Sequence, residues 1–93
     1  MDVNDLEKRL GMRANQGIKA FNYLKDHIPH FGGAFQKDKK LSNDEVNIFR
    51  VYVYYQRVYS NDKYALVEAI EYSIYISNGI ELPKKFQISG LLS

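Results

Sequence analysis

Cysteine is absent from this chain, and with it go disulfides, thiolate nucleophiles and every zinc or iron–sulfur site built on Cys ligands. No run of about 18 apolar residues occurs, and the N-terminus opens with Asp2, Asn4, Asp5 and Glu7 rather than with a basic stretch leading into an apolar one. Neither a membrane span nor a signal peptide is therefore expected, which points to a cytoplasmic location. The two prolines are too few to break the chain into linkers. Catalytic signatures are missing as well. There is no phosphate loop, no dinucleotide fingerprint and no glycine-flanked serine elbow, so Ser42 and Ser60 read as helix caps rather than nucleophiles. His27 and His30 are separated by Pro29, which breaks the helix that would align them, and no third ligand is evident. The expectation is a protein that is not an enzyme and holds no metal or cofactor.

What remains is enough for one folded domain. Hydrophobic residues make up 45% of the 93, and eight tyrosines, most of them between Tyr52 and Tyr75, dominate the aromatic content. The net charge of +2 conceals an uneven distribution: −1 over residues 1–12, +4 over 13–40 and −1 over 41–93. A positive excess confined to one segment is the asymmetry expected of a surface that meets a polyanion.

Val3, Leu6 and Leu10 recur at helical spacing and Gly11 follows, which predicts a first helix over about Val3 to Leu10. Ile18, Phe21, Leu24 and Ile28 mark one face of a second helix, opening at Ala14 or Asn15 and closing before Pro29. Gly17 sits inside it at a cost of about 1 kcal/mol, and a close approach to the first helix or to a phosphate would rationalise it. From His30 to Leu41 the chain is rich in Gly and Lys between the apolar anchors Phe31, Phe35 and Leu41, which predicts a hairpin with its tip at Lys37 to Lys40. Ser42-Asn43-Asp44-Glu45 is a capping box that opens a third helix, about Asn43 to Tyr59, apolar over more than one face. Ser60-Asn61-Asp62 recaps the chain into a fourth, from about Asp62 to Asn78, with Gly79 as its stop. Its main stripe is Leu66, Ala69, Ile70, Ser73 and Ile74, leaving Tyr64, Tyr72, Tyr75 and Ile76 on other faces. The tail beyond Ile80 has no clear period.

The order Leu6…Leu10-Gly11-Met12…Ile18…Phe21-Asn22-Tyr23-Leu24, a basic loop, then Leu41-Ser42-Asn43-Asp44-Glu45-Val46…Phe49-Arg50 resembles the winged helix-turn-helix heads of MerR-type regulators, chromosome-anchoring proteins and phage excisionases. The resemblance covers about residues 3–59. It departs from the pattern where the usual arginine–tyrosine pair is replaced by Lys19-Ala20-Phe21-Asn22-Tyr23, and it lacks the long coiled-coil helix of MerR activators. Taken whole, the chain resembles the AspA-type centromere-binding proteins of crenarchaeal plasmid partition cassettes. The expected fold is thus mainly α: a winged helix-turn-helix with a short β-hairpin wing and C-terminal dimerisation helices, residues 1–79 forming the domain and 80–93 a tail. The resemblance further implies a nucleoid- or plasmid-associated homodimer that recognises a palindromic site on double-stranded DNA, spreads along it, and is linked through a ParB-like adaptor to a ParA-type ATPase.

On this reading Arg13, Asn15, Gln16 and Lys19 lie where a recognition helix meets the major groove, and their types are those that pair with base edges. Lys37, Lys39 and Lys40 would meet phosphates beside it. The competing readings are an exposed polar face and a solvated loop that need no ligand. Tyr72, Tyr75 and Ile76 are expected at the dimer interface, because the apolar surface of the last two helices is broad for a monomer and aromatics favour interface centres. A transcriptional repressor or excisionase-like factor would use the same DNA surface, whereas a protein-interaction adaptor would use the aromatic one alone.

Overall fold

A computed structural model of the chain describes residues 1–29, 31 and 40–92. Four α-helices carry the fold: α1 Val3–Arg9, α2 Gln16–His27, α3 Asn43–Tyr59 and α4 Asp62–Ser77, followed by a 3-10 turn at Lys84–Phe86. No strand occurs among the described residues. The chain divides into two compact units, residues 1–46 and 47–93, with the boundary inside α3.

In the first unit, Asp2 caps α1 reciprocally with Asp5: the Asp5 N–H donates to Asp2 Oδ1 (2.9 Å) and the Asp2 N–H to Asp5 Oδ2 (3.3 Å). Val3 and Leu6 bury the inner stripe of α1, and Gly17, Ala20, Phe21 and Leu24 that of α2. Gly17 settles where the two helices approach. A Cβ at that position would meet Glu7 Oε2 at 2.9 Å, Glu7 Cβ at 3.1 Å and Val3 Cγ1 at 3.3 Å, so the glycine is there to admit α1. Of the two explanations open from sequence, contact with helix one is the one observed. At the other end of α2, Ile28 is extended (φ −112°, ψ 114°), the conformation that the following Pro29 imposes.

The winged helix-turn-helix with a short β-hairpin wing is not the fold observed: the described residues form helices with no strand among them, and residues 30 and 32–39, where most of the wing was expected, lie outside the described residues. The described ends of that segment, Phe31 and Leu41, are both tied into the first unit. Phe31 is buried with its ring 5.1 Å from that of Phe21. The Leu41 N–H donates to the Met1 carbonyl (2.8 Å), so it is unavailable to a strand returning from Phe31. Phe31 is thus packed on α2 through its ring, and Leu41 is tied to the N-terminus through its backbone. Phe35, Lys37 and Lys39 lie outside the described residues, as does His30.

α3 starts on the expected capping box: the Glu45 N–H donates to Ser42 Oγ (3.1 Å) and the Ser42 N–H to Glu45 Oε1 (2.9 Å). Its middle, Val46 to Val53, is buried on all sides except at Arg50, in keeping with an apolar pattern that exceeds one stripe. Asn61 caps α4 by accepting from the Tyr64 N–H (3.1 Å), while Ser60 takes a left-handed conformation (φ 51°) and makes the reversal rather than the cap. α4 closes at Asn78 and Gly79 (φ 63°), a geometry that glycine enters without strain.

In the second unit the tail decides which way α4 faces. Phe86 is fully buried, edge-on to Tyr72 (5.5 Å) and Tyr55 (6.2 Å). The Tyr55 hydroxyl donates to the Lys85 carbonyl, and the Arg50 guanidinium donates to the carbonyls of Leu91 and Gly90 (both 2.8 Å). Lys85 pairs with Glu68 (3.3 Å) and Glu71. As a result the inward residues of α4 are Ala65, Leu66, Ala69 and Tyr72, and Ile74, expected in the main stripe, faces solvent. Tyr72 is therefore withdrawn from the interface set: the residue is 2% exposed, and its ring packs edge-on against the chain's own Phe86. Tyr75 and Ile76 are half-buried.

Candidate nucleic-acid interface

Between Glu7 and Asp26 the sequence holds Lys8, Arg9, Arg13, Lys19 and Lys25 and no acidic residue. All five cations are exposed. They occupy the last turn of α1, the loop after it and the length of α2, so the local architecture keeps them on one helix pair. The acidic residues that cancelled Lys8 and Arg9 in a tally over residues 1–12 are occupied elsewhere: Asp2 and Asp5 cap one end of α1, and Glu7 faces α2. Lys8 and Arg9 were missed as candidates for this reason. The signal that could have found them is position along the predicted helix, since cations in a last turn lie away from acids in the first.

Each remaining candidate on α2 is also exposed, but their chemistry differs. The loop is closed in both directions at Arg13 and Gln16: the Gln16 N–H donates to the Arg13 carbonyl (3.1 Å), and the Arg13 N–H donates to Gln16 Oε1 (3.1 Å). A bidentate contact to adenine needs both the oxygen and the nitrogen of a side-chain amide. Gln16 has committed its oxygen to the turn, whereas Asn15, left-handed at φ 69°, makes no side-chain capping bond. Of the two amides, that of Asn15 is the one not engaged in this turn.

The N-terminus of α2 carries an acidic partner from within the chain. Glu7 Oε2 accepts from the Gly17 N–H at 2.8 Å. A carboxylate there satisfies a donor that has no helical partner and answers the positive end of the helix dipole. A phosphate at that helix end would have to compete with it, which leaves the exposed side chains of Arg13, Lys19, Lys8 and Arg9 as cationic groups of the helix pair. Lys40 is exposed at the start of the segment leading into α3.

His27 Nδ1 lies 2.8 Å from the Tyr23 carbonyl and its ring packs on that of Tyr23 (4.9 Å). Among the described residues, no group of three or more His, Cys, Asp or Glu is placed to hold a metal ion. No helix among them is long and apolar enough to cross a membrane. Burial, and after it the Glu68 carboxylate, raises the Tyr55 phenol above its ordinary range, and the hydrogen bond to Glu71 raises Lys85. Both groups belong to the tail contacts, not to the cationic helix pair.

Comparison with protein-family models, with curated proteins and with solved structures finds no match to this chain.

Proposed function

We propose that the chain is a non-enzymatic protein that binds double-stranded DNA through the α1–α2 pair. The observation that carries this reading is the run of five exposed cations from Lys8 to Lys25, uninterrupted by any acid, with the amide of Asn15 among them. Cations of that density neutralise phosphates and release counterions, while a short polar amide beside them can discriminate base edges. Arg13 and Lys19 hold the backbone on this view, Lys8 and Arg9 flank them, and Asn15 reads.

Fluorescence anisotropy with duplexes drawn from the DNA around the native gene tests the proposal. Binding should weaken steeply with salt, and Arg13→Ala or Lys19→Ala should each reduce the slope of log K against log salt by about one. Asn15→Ala should leave the slope unchanged and reduce the preference among sequences. The proposal fails if binding is undetectable at low salt, or if both cation variants bind with the wild-type slope. The likeness to centromere-binding proteins of partition cassettes makes segregation the first duty to test, with a ParB-like adaptor and a ParA-type ATPase as partners. A footprint that lengthens with protein concentration supports spreading, whereas a short fixed one supports repression.

A further inference from the structure

The large apolar side chains that remain most exposed are Val58, Tyr59, Tyr64, Val67, Ile74 and Ile80, all in the second unit. Three of them are on α4. Residues 64, 67 and 74 are spaced by three and seven, so they share one side of a 3.6-residue helix, opposite the side that buries Ala65, Ala69 and Tyr72. Ile70, half-buried, lies between Val67 and Ile74 on that side. Tyr59, at the end of α3, extends the patch because its ring meets that of Tyr64 edge-on at 6.0 Å.

We infer that this outer face of α4 binds the same face of a second copy, with the two helices antiparallel about an axis that passes between Ile70 and Glu71. Three features select this occupant. The first is register. A twofold axis at that point sets Val67 against the partner's Ile74, and Ile74 against the partner's Val67, so the stripe is complementary to itself. The second is charge. The same register brings the exposed Lys63 to the partner's Asn78, at the C-terminus of α4, where the helix dipole is negative and the last turn supplies no basic residue of its own. Glu71 sits beside the axis with Lys85 of its own chain as counter-ion, so the centre does not oppose two bare carboxylates.

The third feature is area. Tyr59, Tyr64, Val67 and Ile74 are 48%, 63%, 57% and 53% exposed, which amounts to an apolar patch on the order of 400 Å², a size at which the largest patch of a soluble protein is often a functional surface. Doubled by symmetry and widened by its polar rim, it buries roughly 1,000 Å², the lower bound for a specific interface. The dimer is expected to be weak, about micromolar, and it replaces the interface expected around Tyr72. The inference is independent of DNA binding.

The chain contains no cysteine, so introduced ones report geometry without background. The experiment oxidises the purified full chain carrying Val67→Cys with Ile74→Cys, and each single variant, after circular dichroism has confirmed that all are folded. Sedimentation then compares wild type with Val67→Asp and Ile74→Asp. The antiparallel register predicts covalent dimers from the double variant and almost none from the singles, whose equivalent positions lie about 10 Å apart along the axis. It also predicts that either aspartate weakens the wild-type dimer more than about tenfold. A wild type that is monomeric at about 100 micromolar, well above the expected Kd, overturns the inference and leaves the face to a different partner. So does a dimer that survives both aspartates, or one whose singles cross-link as well as the double variant.

Discussion

Gly17→Ala tests the packing that holds the cationic helix pair together. In a free-standing helix the exchange gains about 1 kcal/mol. Here the new Cβ would lie 2.9 Å from Glu7 Oε2, 3.1 Å from Glu7 Cβ and 3.3 Å from Val3 Cγ1. The carboxylate can swing away, but doing so breaks its 2.8 Å bond from the Gly17 N–H, a charged and part-buried hydrogen bond worth about 1.5 kcal/mol. The other two atoms cannot swing. Glu7 Cβ is fixed to the α1 backbone and Val3 is a buried β-branched side chain, so α1 itself must move, an overpacking cost of about 1–3 kcal/mol. The losses exceed the helix gain by about 1.5–3.5 kcal/mol, equivalent to a fall in melting temperature of roughly 6–28 °C for a chain of this size. Thermal and urea denaturation followed by far-ultraviolet circular dichroism would measure it. A cycle with Glu7→Ala separates the contributions, because removing the carboxylate deletes the shortest contact and leaves the Cβ contact in place. A coupling of about 1 kcal/mol between the two sites is expected. A Gly17→Ala protein as stable as wild type would refute the close approach of α1 to α2, and with it the argument that one helix pair carries all five cations.

The tail supplies the other tests. Phe86→Ala should cost about 3–5 kcal/mol, read as a fall in the urea midpoint; a cost under about 1 kcal/mol would mean that the tail does not cover Tyr72. Tyr55→Phe removes the hydroxyl that donates to the Lys85 carbonyl and should cost about 1 kcal/mol at neutral pH. Tyr55 and Lys85 both have folded-state values raised above their ordinary 10.0 and 10.5, so each stabilises the fold fully below those values and ceases to do so as pH rises through the folded ones. Melting temperature should therefore drop above about pH 10, less steeply in Tyr55→Phe, and a tyrosinate absorbance titration should show one late phenol that the variant lacks. Arg50→Lys cannot reproduce a guanidinium that holds two carbonyls at once, so amide exchange over residues 86–91 should accelerate while that of α4 is unchanged.

The sequence made helix ends legible wherever a side chain does the capping. Ser42 with Glu45, and Asn61, open α3 and α4 within a residue of the expected starts, and Gly79 marks the stop of α4, because these are local interactions that a few adjacent residues specify. The face that α4 turns inward was not legible. Its residues are apolar nearly all round, so periodicity alone could not choose between Ile74 and Tyr72; Phe86, fourteen positions beyond Tyr72 and in a segment without a period, makes the choice. The expected winged fold class failed for a related reason. Glycine and lysine between phenylalanines fit a hairpin tip, but the partners that Phe31 and Leu41 took, Phe21 and Met1, belong to tertiary structure. At the candidate site, the sequence named the exposed residues on α2 and missed Lys8 and Arg9, since adding charges over a segment erases which end of a helix they occupy.

A helical fold with no strand among its described residues changes how such a protein would hold DNA without removing its means of doing so. A wing contributes phosphate contacts to one side of a recognition helix, and those contacts orient the helix without reading sequence. Lys8 and Arg9 would offer the same chemistry from the end of the helix that precedes α2. They are also better anchored than a loop tip, because α1 is fixed to α2 through Gly17 and Glu7, whereas lysines on a hairpin must be ordered on binding at a cost in side-chain entropy. Glu7 limits the arrangement. Its carboxylate holds the two helices together and at the same time puts negative charge at the N-terminus of α2, where a phosphate would otherwise dock on backbone amides. An interface built this way has to rely on long, flexible cations that reach past that carboxylate, which favours contact with many phosphates over tight capture of one.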